Sequence, residues 1–321
     1  MPKARYLFPK RFFFTAKPKV KDILFYILNI VAIFSSKKFQ GWGRKKTGEF
    51  AFSCYKKFGG QIIRYEDGFI RSLGLGVNGH PSFSLVEDNV GLFLDATQPS
   101  QLENILNKHP FADDLPLMAT AKEAISMIQK HHISKYNHAP DIDDKYFIKG
   151  NKKKILIIAQ TAGDASLKYG LANSDSADKM VKDAINENPN ASIYLKIHPD
   201  VLAGKKKSNI TVEKIPQECK ILDQDINPIS LLKHFDTIYT CTSGMGMEAL
   251  ILNKKVICYG MPFYAGWGLT TDKQTCSRRK RTLTTTELFA GAYILYTQYY
   301  NPYTNQPSDI IKVIQEIVTR R

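Results

Sequence analysis

The chain has 321 residues, about twice a common single-domain length, so two domains sharing a cleft are expected. With 43% hydrophobic and 23% charged residues, 16 Tyr and 18 Phe, it is neither disordered nor low in complexity. The net charge is +15, and residues 1–60 hold +12 of it, fourteen Lys/Arg against Asp22 and Glu49. That bias suits an anionic membrane surface or an anionic substrate. Nucleic acid is set aside, because no recognised nucleic-acid-binding motif and no interleaving of aromatic and basic residues accompanies the charge. Cys54, Cys219, Cys241, Cys258 and Cys276 form no CxxC pair, and such a scattered set fits thiols in a reducing compartment.

The first element is the apolar run 23–34 (ILFYILNIVAIF). Twelve residues reach about 18 Å as a helix, short of the roughly 30 Å hydrocarbon core. No small-residue cleavage site accompanies it, so a signal peptide is not expected. A buried helix is the first expectation. An interfacial one is the alternative, supported by Lys17, Lys19, Lys21, Lys37 and Lys38 on its flanks. A strand follows at 61–65, with Gly68, Gly74, Gly76 and Gly79 in the loop behind it. Helices are expected at 100–107 and 120–131, the second with Ala121, Ala124, Ile125 and Ile128 on one face. The polar stretch 141–154 reads as an interdomain linker, which divides the chain into 1–150 and 151–321.

Beyond it the chain alternates strand and helix. ILIIA (155–159) is a continuous apolar run of the kind found in buried parallel strands. A loop at 160–166, a helix over 174–188 capped by Ser174 and a strand at 191–197 complete a βαβ unit. The pattern recurs as strand 237–241, helix 245–252 and strand 255–260. This predicts an α/β fold with a doubly wound parallel sheet, whose ligands bind outside the carboxyl ends of the strands.

Four loops at such ends concentrate reactive residue types: Glu66-Asp67-Gly68-Phe69-Ile70-Arg71, Gln160 to Ser166 with Asp164, Lys196-Ile197-His198, and Thr242-Ser243-Gly244 before a helix holding Glu248. Each has a plainer reading, since Glu66 or Asp67 could cap a turn, Asp164 and Ser243 could cap helices, and His198 could end a strand. Their convergence on one edge favours chemistry. Free N–H groups after Ser243 offer an anion site, with Glu248 placed for sugar hydroxyls of a nucleotide. No Walker lysine or HExxH is present, and His131–His132 lie in a predicted helix without acidic partners, so no metal is expected.

The motifs EDGFIRSLGLG (66–76), SFSLVEDNVGLFLDATQPSQLENIL, QTAGDAS (160–166), YLKIHPDVLAG (194–204), TSGMGMEAL (242–250) and CYGMPFYAGWGLTTD (258–272) occur in an order that resembles one family. So do GWGRKKTGEFA (41–51) and RRKRTLTTTEL (278–288). The chain is similar to the capsule-polysaccharide β-Kdo transferases of the KpsC type over about residues 40–303. Members typically carry two such modules in tandem; here each motif occurs once.

The resemblance implies a GT-B-like pair of Rossmann-type domains, 1–150 on the acceptor side and 151–321 binding the nucleotide sugar. It implies a retaining transferase that moves Kdo, an acidic sugar, from CMP-Kdo to a lipid-linked saccharide acceptor in capsule polysaccharide biosynthesis. The expected setting is cytoplasmic and peripheral to the inner membrane of a Gram-negative bacterium, on an anionic membrane surface beside other capsule assembly proteins. By resemblance Asp164 is the nucleophile. Glu66 is the candidate acid/base and Asp67 the residue that holds Arg71. Gln160, His198, Ser243 and Gly244 would meet the CMP moiety, Glu248 its ribose, and Lys196 or Arg71 the Kdo carboxylate. Tyr264 and Trp267 are expected near the site in an acceptor or structural role. Another nucleotide-sugar donor, or a non-catalytic glycolipid-binding assembly protein, are the competing expectations.

Overall fold

A computed structural model of the protein describes residues 18–147, 152–173, 175–197, 201, 207–210 and 215–321. Ser174 and His198, named above, lie outside the described residues.

The expected parallel sheet is formed by β4 (Lys154–Ile158), β5 (Ser192–Lys196), β6 (Cys219–Leu222), β7 (Thr237–Thr240), β8 (Lys255–Cys258) and β9 (Thr271–Asp272). Their order is β6-β5-β4-β7-β8-β9, and every pairing is parallel. Ile155, Leu156, Ile157 and Ile158 are all buried, which explains why that strand reads as continuous rather than alternating. The order reverses direction between β4 and β7, and the loops after these two strands meet at that switch point.

The first sheet departs from a purely parallel plan. Its order is β1 (Lys38–Trp42), β2 (Gln61–Asp67), β3 (Ser84–Asp88), β10 (Thr297–Asn301) and β11 (Gln306–Ser308). Only β1 and β2 are parallel, joined by helix α2 (Lys46–Phe58); the other pairings are antiparallel. The last two strands come from the C-terminal end of the chain. A division at 150 therefore separates the first β-strands of each sheet but not the sheets themselves, because 297–308 complete the first one.

Helices α3 (Gln101–Lys108) and α4 (Leu115–His131) follow β3, capped by the side chains of Ser100 and Asp114. The C-terminal helix α10 (Ile310–Arg320) packs on α4. Ile70, Phe83 and Val86 share one apolar core with Leu156, Met247, Trp267 and Ile314, so the two sheets are joined by packing as well as by chain. The expected linker is also anchored, because Phe147 is buried against Tyr194, His234 and Phe235.

Helix α1 (Pro18–Ile33) carries the apolar run, with one face buried and the other exposed. Lys21, Leu24, Phe25, Leu28, Asn29 and Ala32 face inward at helical spacing. On the other face Ile23 is 62% exposed, Ile27 53%, and Ile30 and Val31 are exposed, with Phe34 at 86% just beyond. No described helix is long and apolar enough to cross a membrane.

Candidate active site

The carboxyl ends of β1 and β2 carry the first cluster. Glu66 Oε1 accepts from Trp42 Nε1 at 3.1 Å and from the Asp67 amide at 3.0 Å, which fixes the carboxylate against the turn after β1. Gly43 occupies that turn with φ +47°, and a Cβ there would collide with Glu66 Oε2. Burial, with Asp67 beside it, raises the Glu66 carboxyl above the usual range. Asp67 pairs with Arg71 Nε at 2.9 Å, the holding contact expected of it. The same guanidinium donates to Ser72 Oγ at 2.9 Å and to the His80 carbonyl at 3.3 Å.

Two lysines that the sequence reading did not place at the site, Lys21 and Lys135, complete this cluster. Lys21 reaches from α1 to within 4.9 Å of the Trp42 ring centre, and burial lowers its ammonium to about 8. Lys135 lies in the segment after α4 and feels both Glu66 and Asp67. Neither residue belongs to a motif that marks its chemistry, so their place became visible only when the segments met.

The second cluster forms at the carboxyl ends of β4 and β7. Asp164 is exposed and caps the short helix α5 (Ala165–Tyr169), its Oδ1 accepting from the Ser166 amide at 2.9 Å. Gln160 does not project freely toward a ligand. Its Nε2 donates to Thr242 Oγ1 at 3.0 Å and its Oε1 accepts from the Thr242 amide at 2.8 Å, tying the two loops together. Ser243 Oγ accepts from the Met245 amide at 3.3 Å at the start of α8 (Met245–Ile251), and Gly244 beside it is exposed.

Two expected ligand contacts, those of Glu248 and Lys196, are corrected by the geometry. Glu248 is buried rather than presented to a nucleotide: its Oε1 accepts from Ser134 Oγ at 2.5 Å, and the Lys135 main chain also bonds to it. Lys196 is partly buried and donates to the Gln224 carbonyl at 2.6 Å, so it is not held ready for a sugar carboxylate. Tyr264 and Trp267 are fully buried and structural, with Tyr264 Oη donating to the Ser243 carbonyl at 2.6 Å and Trp267 Nε1 to the Phe263 carbonyl at 2.9 Å. Tyr264 is thereby a brace under the Ser243 loop.

The two clusters are fastened to one another. Arg44, next to Gly43, stacks over Tyr169 of α5 at 4.2 Å and pairs with buried Asp95 at 2.5 Å. The Ala96 amide donates to the Tyr169 carbonyl at 2.8 Å. On the far side, Glu103 of α3 accepts from Arg278 Nε at 2.9 Å and Arg279 Nε at 3.2 Å, while Arg279 Nη1 also donates to the Ala265 carbonyl at 2.7 Å. The basic run 278–281 is thus a clasp between the halves.

His132 has an acidic partner after all, Asp141 at 2.7 Å, because it closes α4 in the left-handed region at φ 51° and turns toward the next segment. Among the described residues no group of three His, Cys, Asp or Glu side chains could hold a metal ion.

Glu66 and Asp164 thus lie after strands of the two different sheets, β2 of the first and β4 of the parallel one. Residues 40–300 match the model of the capsule polysaccharide biosynthesis protein family, and the chain belongs to that family. Of solved structures, the β-Kdo 2,4 transferase of Thermosulfurimonas dismutans KpsC is 45% identical with a TM-score of 0.83, covering 87% of this chain and 86% of that one. The β-Kdo 2,7 transferase of the same protein is 30% identical with a TM-score of 0.71, covering 94% and 96%. The capsule polysaccharide modification protein LipA of Neisseria meningitidis serogroup A is 41% identical over 87% of this chain. The chain spans about two-fifths of that relative's length.

Proposed function

We propose that the chain is a retaining glycosyltransferase that moves β-linked Kdo from CMP-Kdo to a lipid-linked saccharide acceptor in capsule polysaccharide biosynthesis. The observation that carries this reading is the pair of carboxylates, exposed Asp164 and partly buried Glu66, at strand ends of the two sheets. The match to a β-Kdo 2,4 transferase along most of both chains supports the sugar.

Asp164 attacks the anomeric carbon of Kdo, a bond to the sugar forms, and CMP leaves with the electron pair of the broken bond. Glu66 then takes the proton of an acceptor hydroxyl, whose oxygen displaces Asp164. A carboxyl whose pKa is raised by burial is a stronger base for that step. CMP carries its negative charge away without needing a proton, and the reading includes no metal or other cofactor. The enzyme works at the cytoplasmic face of the inner membrane, where the exposed apolar face of α1 and the basic flanks around it meet anionic lipid.

Incubation of the protein with CMP-Kdo and a β-Kdo-terminated glycolipid, followed by mass spectrometry, tests the reaction. A mass increase of one Kdo is expected. Release of CMP without an extended glycolipid, or turnover only of another nucleotide sugar, overturns it.

A further inference from the structure

An acidic sugar brings a carboxylate into the cleft, and a cation must meet it there. Both cations expected to do so are committed: Arg71 to Asp67, Ser72 and the His80 carbonyl, and Lys196 to the Gln224 carbonyl. Lys135 is placed differently. Its main chain holds the two halves of the site together, its carbonyl accepting from the Arg71 amide at 2.9 Å while the residue also bonds to the Glu248 carboxylate. Ser134 beside it donates to that same carboxylate, and Asn137 two residues on donates to the Ser72 carbonyl at 3.0 Å. The backbone of 134–137 is therefore rigidly set.

The Lys135 side chain is not used up by this scaffold. Its ammonium is 5.8 Å from the Tyr136 ring centre, and among the described residues no hydrogen bond or ion pair reaches it. The Lys135 ammonium is thus partly buried within the field of Glu66, Asp67 and Glu248, while the side chain itself bonds to none of them among the described residues. We propose that Lys135 binds the carboxylate of an acidic sugar and so selects for substrates that carry one. Burial alone would lower its pKa, but Tyr136, Asp67 and Glu66 outweigh that and hold it above the usual lysine value, so the ammonium stays charged.

The inference rests on the proposed Kdo transfer, and the carboxylate could belong to the donor sugar or to a Kdo unit of the acceptor. Steady-state kinetics of Lys135→Met, with CMP-Kdo and a β-Kdo-terminated glycolipid varied separately, tells them apart. The KM for one of the two is expected to rise ten- to a hundredfold, while inhibition by free CMP stays within twofold of wild type. A rise for CMP-Kdo assigns Lys135 to the donor, and a rise for the glycolipid assigns it to the acceptor. Both KM values within twofold of wild type overturn the proposal.

A second measurement uses the wild-type protein alone, in case the variant fails to fold. Free Kdo should inhibit at least tenfold better than its C1 amide; equal inhibition overturns the role of Lys135. A wild type that turns over no CMP-Kdo overturns the proposed function and this inference with it. An active wild type with an unaltered Lys135→Met variant overturns the inference alone.

Discussion

Ser134 Oγ lies 2.5 Å from Glu248 Oε1, a bond that joins the segment after α4 to helix α8 of the parallel sheet. Burial raises the Glu248 carboxyl from 4.5 to about 7. A carboxyl raised in the folded state adds stability below its unfolded pKa and loses that contribution as pH climbs through the folded value. Wild type should therefore lose on the order of 3 kcal/mol between about pH 4.5 and 7 from this group. Glu248→Gln keeps an acceptor for Ser134 without a titrating proton. Its melting temperature is expected to fall less between pH 5 and pH 8, and identical slopes for the two proteins would contradict the assignment.

The Asp164 side chain accepts from the Ser166 amide. An Asn can make the same contact, so Asp164→Asn should change unfolding free energy by no more than about 0.5 kcal/mol. Transfer should fall by about a thousandfold or more, since the amide cannot form the glycosyl ester. Calorimetric CMP binding should be retained. Residual activity near wild type would remove Asp164 from the nucleophile's role.

Asp67 raises the Glu66 carboxyl and also pairs with Arg71. Asp67→Asn removes the neighbouring negative charge, which favours ionised Glu66. The limb of the kcat/KM profile that reports Glu66 is therefore expected to move to lower pH. A shift upward, or none with activity retained, would show that another group governs that limb.

Glu103 is buried between Arg278 and Arg279, and Arg279 is nearly inaccessible. Removing the carboxylate leaves a buried guanidinium without its counter-charge, a loss of about 3–5 kcal/mol. Denaturant unfolding of Glu103→Ala should show it. A loss under 1 kcal/mol would mean that the arginines are held by the carbonyls of Ala96, Gln98, Pro262 and Ala265.

The outer face of α1 makes a separate prediction. Flotation with liposomes containing anionic lipid should recover the protein at low salt and less of it at high salt. Ile23→Glu with Ile27→Glu alters only exposed positions and should abolish flotation. Equal recovery with neutral lipid would point to apolar contact without charge, and no recovery would leave α1 to a different partner.

The apolar runs 155–159, 191–197, 237–241 and 255–260 were legible as strands because a strand buried on both faces needs apolar residues at every position. The reactive loops were legible for a related reason, since a parallel sheet gathers the loops after its strands on one edge. Asp67 with Arg71, four residues apart, is likewise local enough to be read along the chain. The partners of Glu248, Gln160, Lys196 and the 278–281 run could not be read that way. Ser134 lies 114 residues from Glu248, and Glu103 lies 175 from Arg278. Contacts so far apart carry no periodicity, and a charged residue looks alike whether it will meet solvent, substrate or a buried counter-charge. Packing of the two sheets around one core decided which, and the return of 297–308 to the first sheet placed the C-terminal helix there too.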